Sequence, residues 1–289
     1  MTAFSGNTSN LTSLNDLISP IVTEAMFVAS EQSIMPGLVK QFTVPANSGK
    51  VLQVPLYGNQ SAVNLTEGTD IVGTSGDVTV STGVANITLS EAGIMTLVTD
   101  MSLNHATSNV VADLGKVFGE AIAKKHDQAL TAKFSSFTSS IGADQDEIEV
   151  KDLFEAYATL KSAAVPGPYY GVFHPKAIYN LKKQLTNTFT NPSNALAVTN
   201  QAMSEGYIGR IAGIDIFETS NVVEDSATAV TNAVFSRDAL GIAIASDLKV
   251  ATQRDESMRG SEVIATSVFG VNVLHNTYGV KILGDNQIN

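Results

Sequence analysis

Cysteine and tryptophan are both missing from the 289 residues. Without cysteine there is neither a disulfide framework nor a thiolate metal site, which fits a chain assembled in a cytosol. Basic residues are scarce: 17 Lys and Arg face 28 Asp and Glu, a net charge of −11. That balance repels polyphosphate and excludes a genome-clamping role. The first basic residue is Lys40, so the N-terminus lacks the positive region of a secretory signal. Apolar runs such as Val268 to Leu274 fall far short of the roughly 18 residues a bilayer crossing needs, so no membrane partner is expected.

Catalytic motifs are missing as well. There is no phosphate-binding Gly-x-x-x-x-Gly-Lys loop, no Gly-x-Ser-x-Gly elbow, no His-Glu-x-x-His helix and no Gly-x-Gly-x-x-Gly fingerprint. The four histidines, at 105, 126, 174 and 275, include no pair at the spacing of a helical metal site, and His174 reads as a strand-end residue before Pro175. The acidic cluster Asp144, Asp146, Glu147 and Glu149 lacks the glycine of a Ca²⁺ loop and reads as a solvated linker. As a glycosidase pair it lacks an aromatic sugar platform. No catalytic residue, cofactor site or metal site is expected.

What is present is a chain 44% apolar, long enough for one large domain or two smaller ones. A Ser/Thr/Asn-rich start leads into Leu11, Leu14, Leu17, Ile18, Ile21, Val22 and Ala25 at helical spacing, with a break at Ser19-Pro20. These residues predict an arm carrying an amphipathic helix. β-like runs over 42–57 and 84–98 predict the two arms of one hairpin. Between them, residues 58–83 are rich in Gly, Thr, Ser and Asn, and Glu67, Asp70 and Asp77 are the only charges. So long a connection fits a compact domain only if it projects onto another molecule. At roughly 3.3 Å per residue, the hairpin would reach several tens of ångströms.

Asp100 is a candidate cap for a helix carrying Leu103, Val110, Leu114, Val117 and Ala121 and running to about Phe137, on the order of 50 Å long. Gly115, Gly119 and Ala123 share one stripe and predict a close contact. Beyond the acidic linker the pattern is α+β. A helix is expected around Leu153, Phe154, Tyr157 and Leu160, a strand over 169–173, a helix around Ala177 to Leu185 and a short helix near 195–203. Short strands follow at 211–217, 233–235 and 242–245. Two longer strands, 248–253 and 262–274, flank the charged turn 254–260, and a last strand covers 278–283.

The order of these elements resembles the tailed-bacteriophage major capsid proteins, with their Hong Kong 97-like fold, over nearly the whole chain. The local resemblance is strongest in Gly206-Tyr-Ile-Gly-Arg-Ile-Ala-Gly-Ile-Asp-Ile-Phe-Glu-Thr-Ser-Asn221. Val234-Phe-Ser-Arg-Asp-Ala-Leu-Gly-Ile-Ala243 and Tyr278-Gly-Val-Lys-Ile282 add to it. The resemblance implies an N-terminal arm (1–41), an extended loop (42–98), and a spine helix opening a peripheral domain (99–150). It further implies an axial domain (151–245), peripheral-domain strands (246–275) and a return to the axial domain (276–289). Hexamers and pentamers of such subunits close an icosahedral shell around double-stranded DNA in the virion, assembled in the host cytoplasm. A separate scaffolding protein, a portal and a decoration protein are the implied partners. An encapsulin-like compartment is the alternative within this fold, and a carbohydrate-active enzyme is the remote one.

Three expectations concern assembly. The acids of the loop tip, Glu67, Asp70 and Asp77, have no Lys or Arg near them in sequence, so they are expected to dock on an adjacent subunit. Lys124, Lys125 and Lys133 of the spine helix, with Arg254 or Arg259 of the charged turn, are the candidate partners. For Lys124 and Lys125 a plain solvated helix face is the competing reading. Lys50 is the only lysine over 42–98 and sits at the hairpin base, so no covalent cross-linking between subunits is expected. The arm begins within about ten residues of Met1, so proteolytic removal of a built-in scaffold is not expected either.

Overall fold

The computed structural model describes residues 33–45, 49–57, 64, 67–68, 82–101, 110–144, 146–187, 209–226 and 229–285. The helical pattern at 11–25 and the short helix near 195–203 lie outside the described residues. In chain order the elements begin with a short helix α1 (Met35–Leu38), then β1 (Lys40–Thr43), β2 (Val51–Tyr57), β3 (Thr82–Thr88) and β4 (Ser90–Thr99). Helix α2 (Val110–Thr131), β5 (Ser139–Ile141), α3 (Val150–Ser162), β6 (Tyr169–Phe173) and α4 (Pro175–Asn187) follow. The chain continues through β7 (Arg210–Ile211), β8 (Ile214–Glu218), β9 (Glu224–Ser226), β10 (Ala229–Ser236), β11 (Leu240–Asp255), β12 (Gly260–Val273) and β13 (Gly279–Asp285).

Seven strands form one sheet, in the order β5-β13-β10-β6-β8-β7 with β9 also on β10. Every residue of β10 is buried, as expected of a strand covered on both faces. On one face, Leu153 and Leu160 of α3 and Ile178 and Leu181 of α4 close over Phe173, Val234, Val280 and Ile282. Local chemistry sets both helices. Glu149 and Asp152 form a reciprocal capping box at the start of α3. Pro175 opens α4, and Nδ1 of His174 accepts from the Lys176 amide at 3.3 Å, so His174 serves as a cap.

The other face meets a second sheet, four-stranded in the order β1-β11-β12-β4. Phe134, Phe137 and Phe235 stack at 5.6–6.4 Å and share one core with Met35, Leu240, Ile242 and Phe269. Burying each such ring contributes about 1.5–3 kcal/mol. Helix α2 lies on the four-stranded sheet, with Leu114 and Phe118 against Ile94, Val98, Val263 and Ala265.

The sequence expectations change at several points, one being the run 211–217, which a turn at Ala212-Gly213 splits into β7 and β8. Among the described residues, only 51–57 and 82–88 pair as a hairpin. β1 pairs instead with β11, and β4 with β12, because a β-like run does not specify which sheet receives it. The described spine helix covers 22 residues, about 33 Å, and ends at Thr131, where the chain tightens into the 3₁₀ turn Phe134–Ser136. Its apolar stripe is also displaced: Val117 is 51% exposed, whereas Phe118, Ile122, His126 and Leu130 are buried. Gly115, Gly119 and Ala123 are buried as expected. The runs 242–245 and 248–253 belong to one strand, β11, which bulges between Ile244 and Lys249.

Candidate functional site

In the β2–β3 ribbon Leu52 faces Ile87 and Val54 faces Ala85, on the side that packs against Val44, Leu89, Ala243 and Leu274. The other side pairs Pro55 with Val84 and carries Tyr57, and here Tyr57 is 65% and Val84 56% exposed. The base is fixed where β3 crosses β12. A Cβ on Gly270 would collide with the Thr88 carbonyl, and Asn272 Nδ2 donates to the Asn86 carbonyl at 2.8 Å. Glycine at 270 is therefore what lets the ribbon leave the sheet at this point. The outer side mixes exposed Val51, Pro55, Tyr57 and Val84 with Gln53 and Asn86, and no described element of the chain covers it.

Glu67, at the tip, is exposed in a turn with Gly68 at φ +80°. Asp70 and Asp77 lie outside the described residues. On α2, Lys124 and Lys125 are exposed and Lys133, just past its end, is half-buried. Arg254 is already committed within the chain: it grips Asp100 through two bonds of 2.7 and 2.8 Å and also reaches Glu256 at 3.3 Å. This bidentate pair holds the Asp100 carboxyl below its ordinary range. Asp100, the candidate helix cap, thus spends its carboxylate joining the ends of β4 and β11. Arg259 sits at φ +48° in the β11–β12 turn, which Asp255 braces by accepting from the Ser257 and Met258 amides. Among the described residues named from sequence, Glu67 lies between β2 and β3, Lys124 and Lys125 on α2, and Arg259 in the β11–β12 turn.

The acidic linker is only partly solvated. Ile148 is buried beneath Gly284, Glu149 is tied into the capping box and bonded to Lys151 at 2.7 Å, and Glu147 meets Lys183 at 2.8 Å. The acids border an open cleft of about 490 Å³ beside Ser140 and Glu155. No group of three or more His, Asp or Glu among the described residues is placed to hold a metal ion.

Two buried polar residues escaped the sequence reading. His126 lies 3.3 Å from the Ser267 hydroxyl and edge-on to Phe269, and burial pushes its pKa down. Asp127, fully buried, accepts hydrogen bonds from the 33–35 segment and from Asn221, while burial pushes its carboxyl pKa up. Extending the stripe 115, 119, 123 by one further step of four would have found Asp127.

A four-stranded sheet crossed by a long helix, a seven-stranded α/β body and a hairpin leaving their junction define the Hong Kong 97-like capsid fold. The chain is similar to the capsid structure of the cyanophage P-SCSP1u, at 18% identity and TM-score 0.67, covering 88% of this chain and 89% of that one. It is similar to the Mycobacterium phage Che8 structure at 18% identity and TM-score 0.64, covering 82% and 85%. The virus-like particle of Pyrococcus furiosus also matches, at 12% identity and TM-score 0.63, covering 91% and 98%. No curated protein matches the sequence. A family model described as phage capsid protein matches residues 82–282, and the chain belongs to that family.

Proposed function

We propose that this major capsid protein closes, as hexamers and pentamers, an icosahedral shell around double-stranded DNA, and that it acts without catalysis, cofactor or membrane. The β2–β3 ribbon supports this reading most directly: Val51, Pro55, Tyr57 and Val84 stand exposed on its outer side, where a neighbour would cover them. Of the arm (1–41) and the extended loop (42–98), the parts outside α1, β1 and β4 reach adjacent subunits. The peripheral domain is built on 99–150 and 246–275, and the axial domain on 151–245 and 276–289. Net charge −11 suits a shell that encloses DNA without sequence-specific binding. Assembly takes place in the bacterial cytoplasm, with scaffolding, portal and decoration supplied by other chains.

Glu67, Asp70 and Asp77 dock on Lys124, Lys125, Lys133 or Arg259 of the adjacent subunit. Arg254 contributes less, since Asp100 already holds it. Negative-stain images of the purified protein test the reading, with closed shells expected. Particles from infected cells should carry nuclease-protected DNA. Only monomers, or shells holding protein cargo and no DNA, would overturn it.

A further inference from the structure

Asp127 is a buried acid with a specific set of partners. Its Oδ1 accepts from the Ser33 hydroxyl at 3.1 Å and the Met35 amide at 3.1 Å. Its Oδ2 accepts from the Ile34 amide at 3.4 Å and Asn221 Nδ2 at 3.2 Å. One turn further along α2, the Thr131 hydroxyl donates to the Asn221 carbonyl at 2.9 Å. The carboxylate therefore ties together three segments distant in sequence: the 33–35 stretch, α2, and the loop between β8 and β9.

The first of these has no cap of its own. α1 is four residues long, and its N-cap residue Ile34 offers no side-chain hydrogen bond. Asp127 supplies from 92 residues away what a local Ser or Asp at the cap position usually supplies. Just beyond, Met35 and Leu38 enter the central core beside Leu130. Apolar packing by itself would hold α1 down but would leave its entry direction open. A carboxylate that meets two successive backbone amides fixes that direction, because the acceptor geometry of each bond is narrow. A buried charge is costly unless its bonds are made, so the contact tends to be complete or lost.

We propose that Asp127 is a latch that holds residues 33–38 on the body of the subunit in one direction, and that assembly into shells depends on this placement. The local latch stands on its own geometry, and only its consequence for assembly rests on the shell reading above. Asp127→Asn would turn an amide donor toward two of the four donors, whichever way the amide is rotated, while hardly changing volume.

Hydrogen exchange on the unassembled full chain is the test. In D127N, the peptide covering 33–39 should exchange at least about tenfold faster, with less than about twofold change in peptides covering β10 and β13. Unchanged protection of 33–39, or equal loss in β10 and β13, would overturn the latch. S33A combined with N221A removes two of the four donors and leaves the carboxylate in place. That pair should give about a threefold rise confined to 33–39 even if D127N fails to fold, and no rise would overturn the latch independently. Normal shell yield from a variant whose 33–39 amides have been freed would overturn the assembly role and leave the shell reading standing.

Discussion

β10 and the β2–β3 ribbon are strands of similar length with opposite circumstances. β10 has partners on both edges and is buried along its whole length. The ribbon pairs only with itself, and every outward residue from Val51 to Tyr57 is exposed. One region is enclosed by its own chain, and the other is packed by its own chain on one side and left open on the other. On the shell reading proposed above, the body folds by itself and the limb is completed by assembly.

The sharpest way to break this contrast is to damage each side in turn. Phe235→Ala removes a fully buried ring stacked on Phe134 and Phe137, and should cost about 3–5 kcal/mol. Against a typical total of about 5–15 kcal/mol, denaturant titration of the free subunit should show a large loss. Changing Tyr57 and Val84 together to Ser should leave that titration within about 0.5 kcal/mol, since both side chains are exposed, yet abolish shells in micrographs. Loss of subunit stability in the second variant would mean the ribbon belongs to the body after all.

An intermediate effect is expected from pH. His126 is held neutral chiefly by burial, opposed by Asp247 and Asp127, so its folded pKa lies below its unfolded value. The stability linked to it is complete above the ordinary value of about 6.5 and is lost as the pH falls through that value toward the folded one. His174 and His275 shift in the same direction, and burial is again the leading cause. Asp127, raised, works in the opposite sense: its linked stability is full below the ordinary carboxyl range and is lost as pH rises through its folded value. Melting of the free subunit should therefore drop between pH 7 and 5. His126→Gln should flatten that drop more than His275→Gln, and equal flattening would count against the burial account.

The smallest effect concerns the loop tip. Replacing Glu67, Asp70 and Asp77 with Gln and Asn should remove contacts of about 0.2–1 kcal/mol each, summed over many copies. Wild-type shells should lose heat stability in ~1 M salt, where the screening length is roughly 3 Å, and the triple variant should respond less. An unchanged salt response would leave the acids with a solubility role alone.

Sequence reasoning reached what is local. Strand β6 matches the apolar run 169–173 because proline bounds it on both sides, and α3 and α4 follow their caps. It missed features that depend on distant partners. β11 reads as two strands because its bulge interrupts the alternation. The buried stripe of α2 contains His126 and Asp127, polar residues that hide it, while exposed Val117 mimics it. At the site, the acidity of the tip was visible in composition. The engagement of Arg254 by Asp100 was not, because 154 residues separate them.

Hydrogen exchange compared between free subunits and assembled shells tests the central claim most directly. Peptides covering 51–57 and 82–88 should exchange rapidly in free subunits and slowly in shells, while β10 is equally protected in both. Equal protection of the ribbon in the two states would contradict the account, because the ribbon would then be complete without a neighbour.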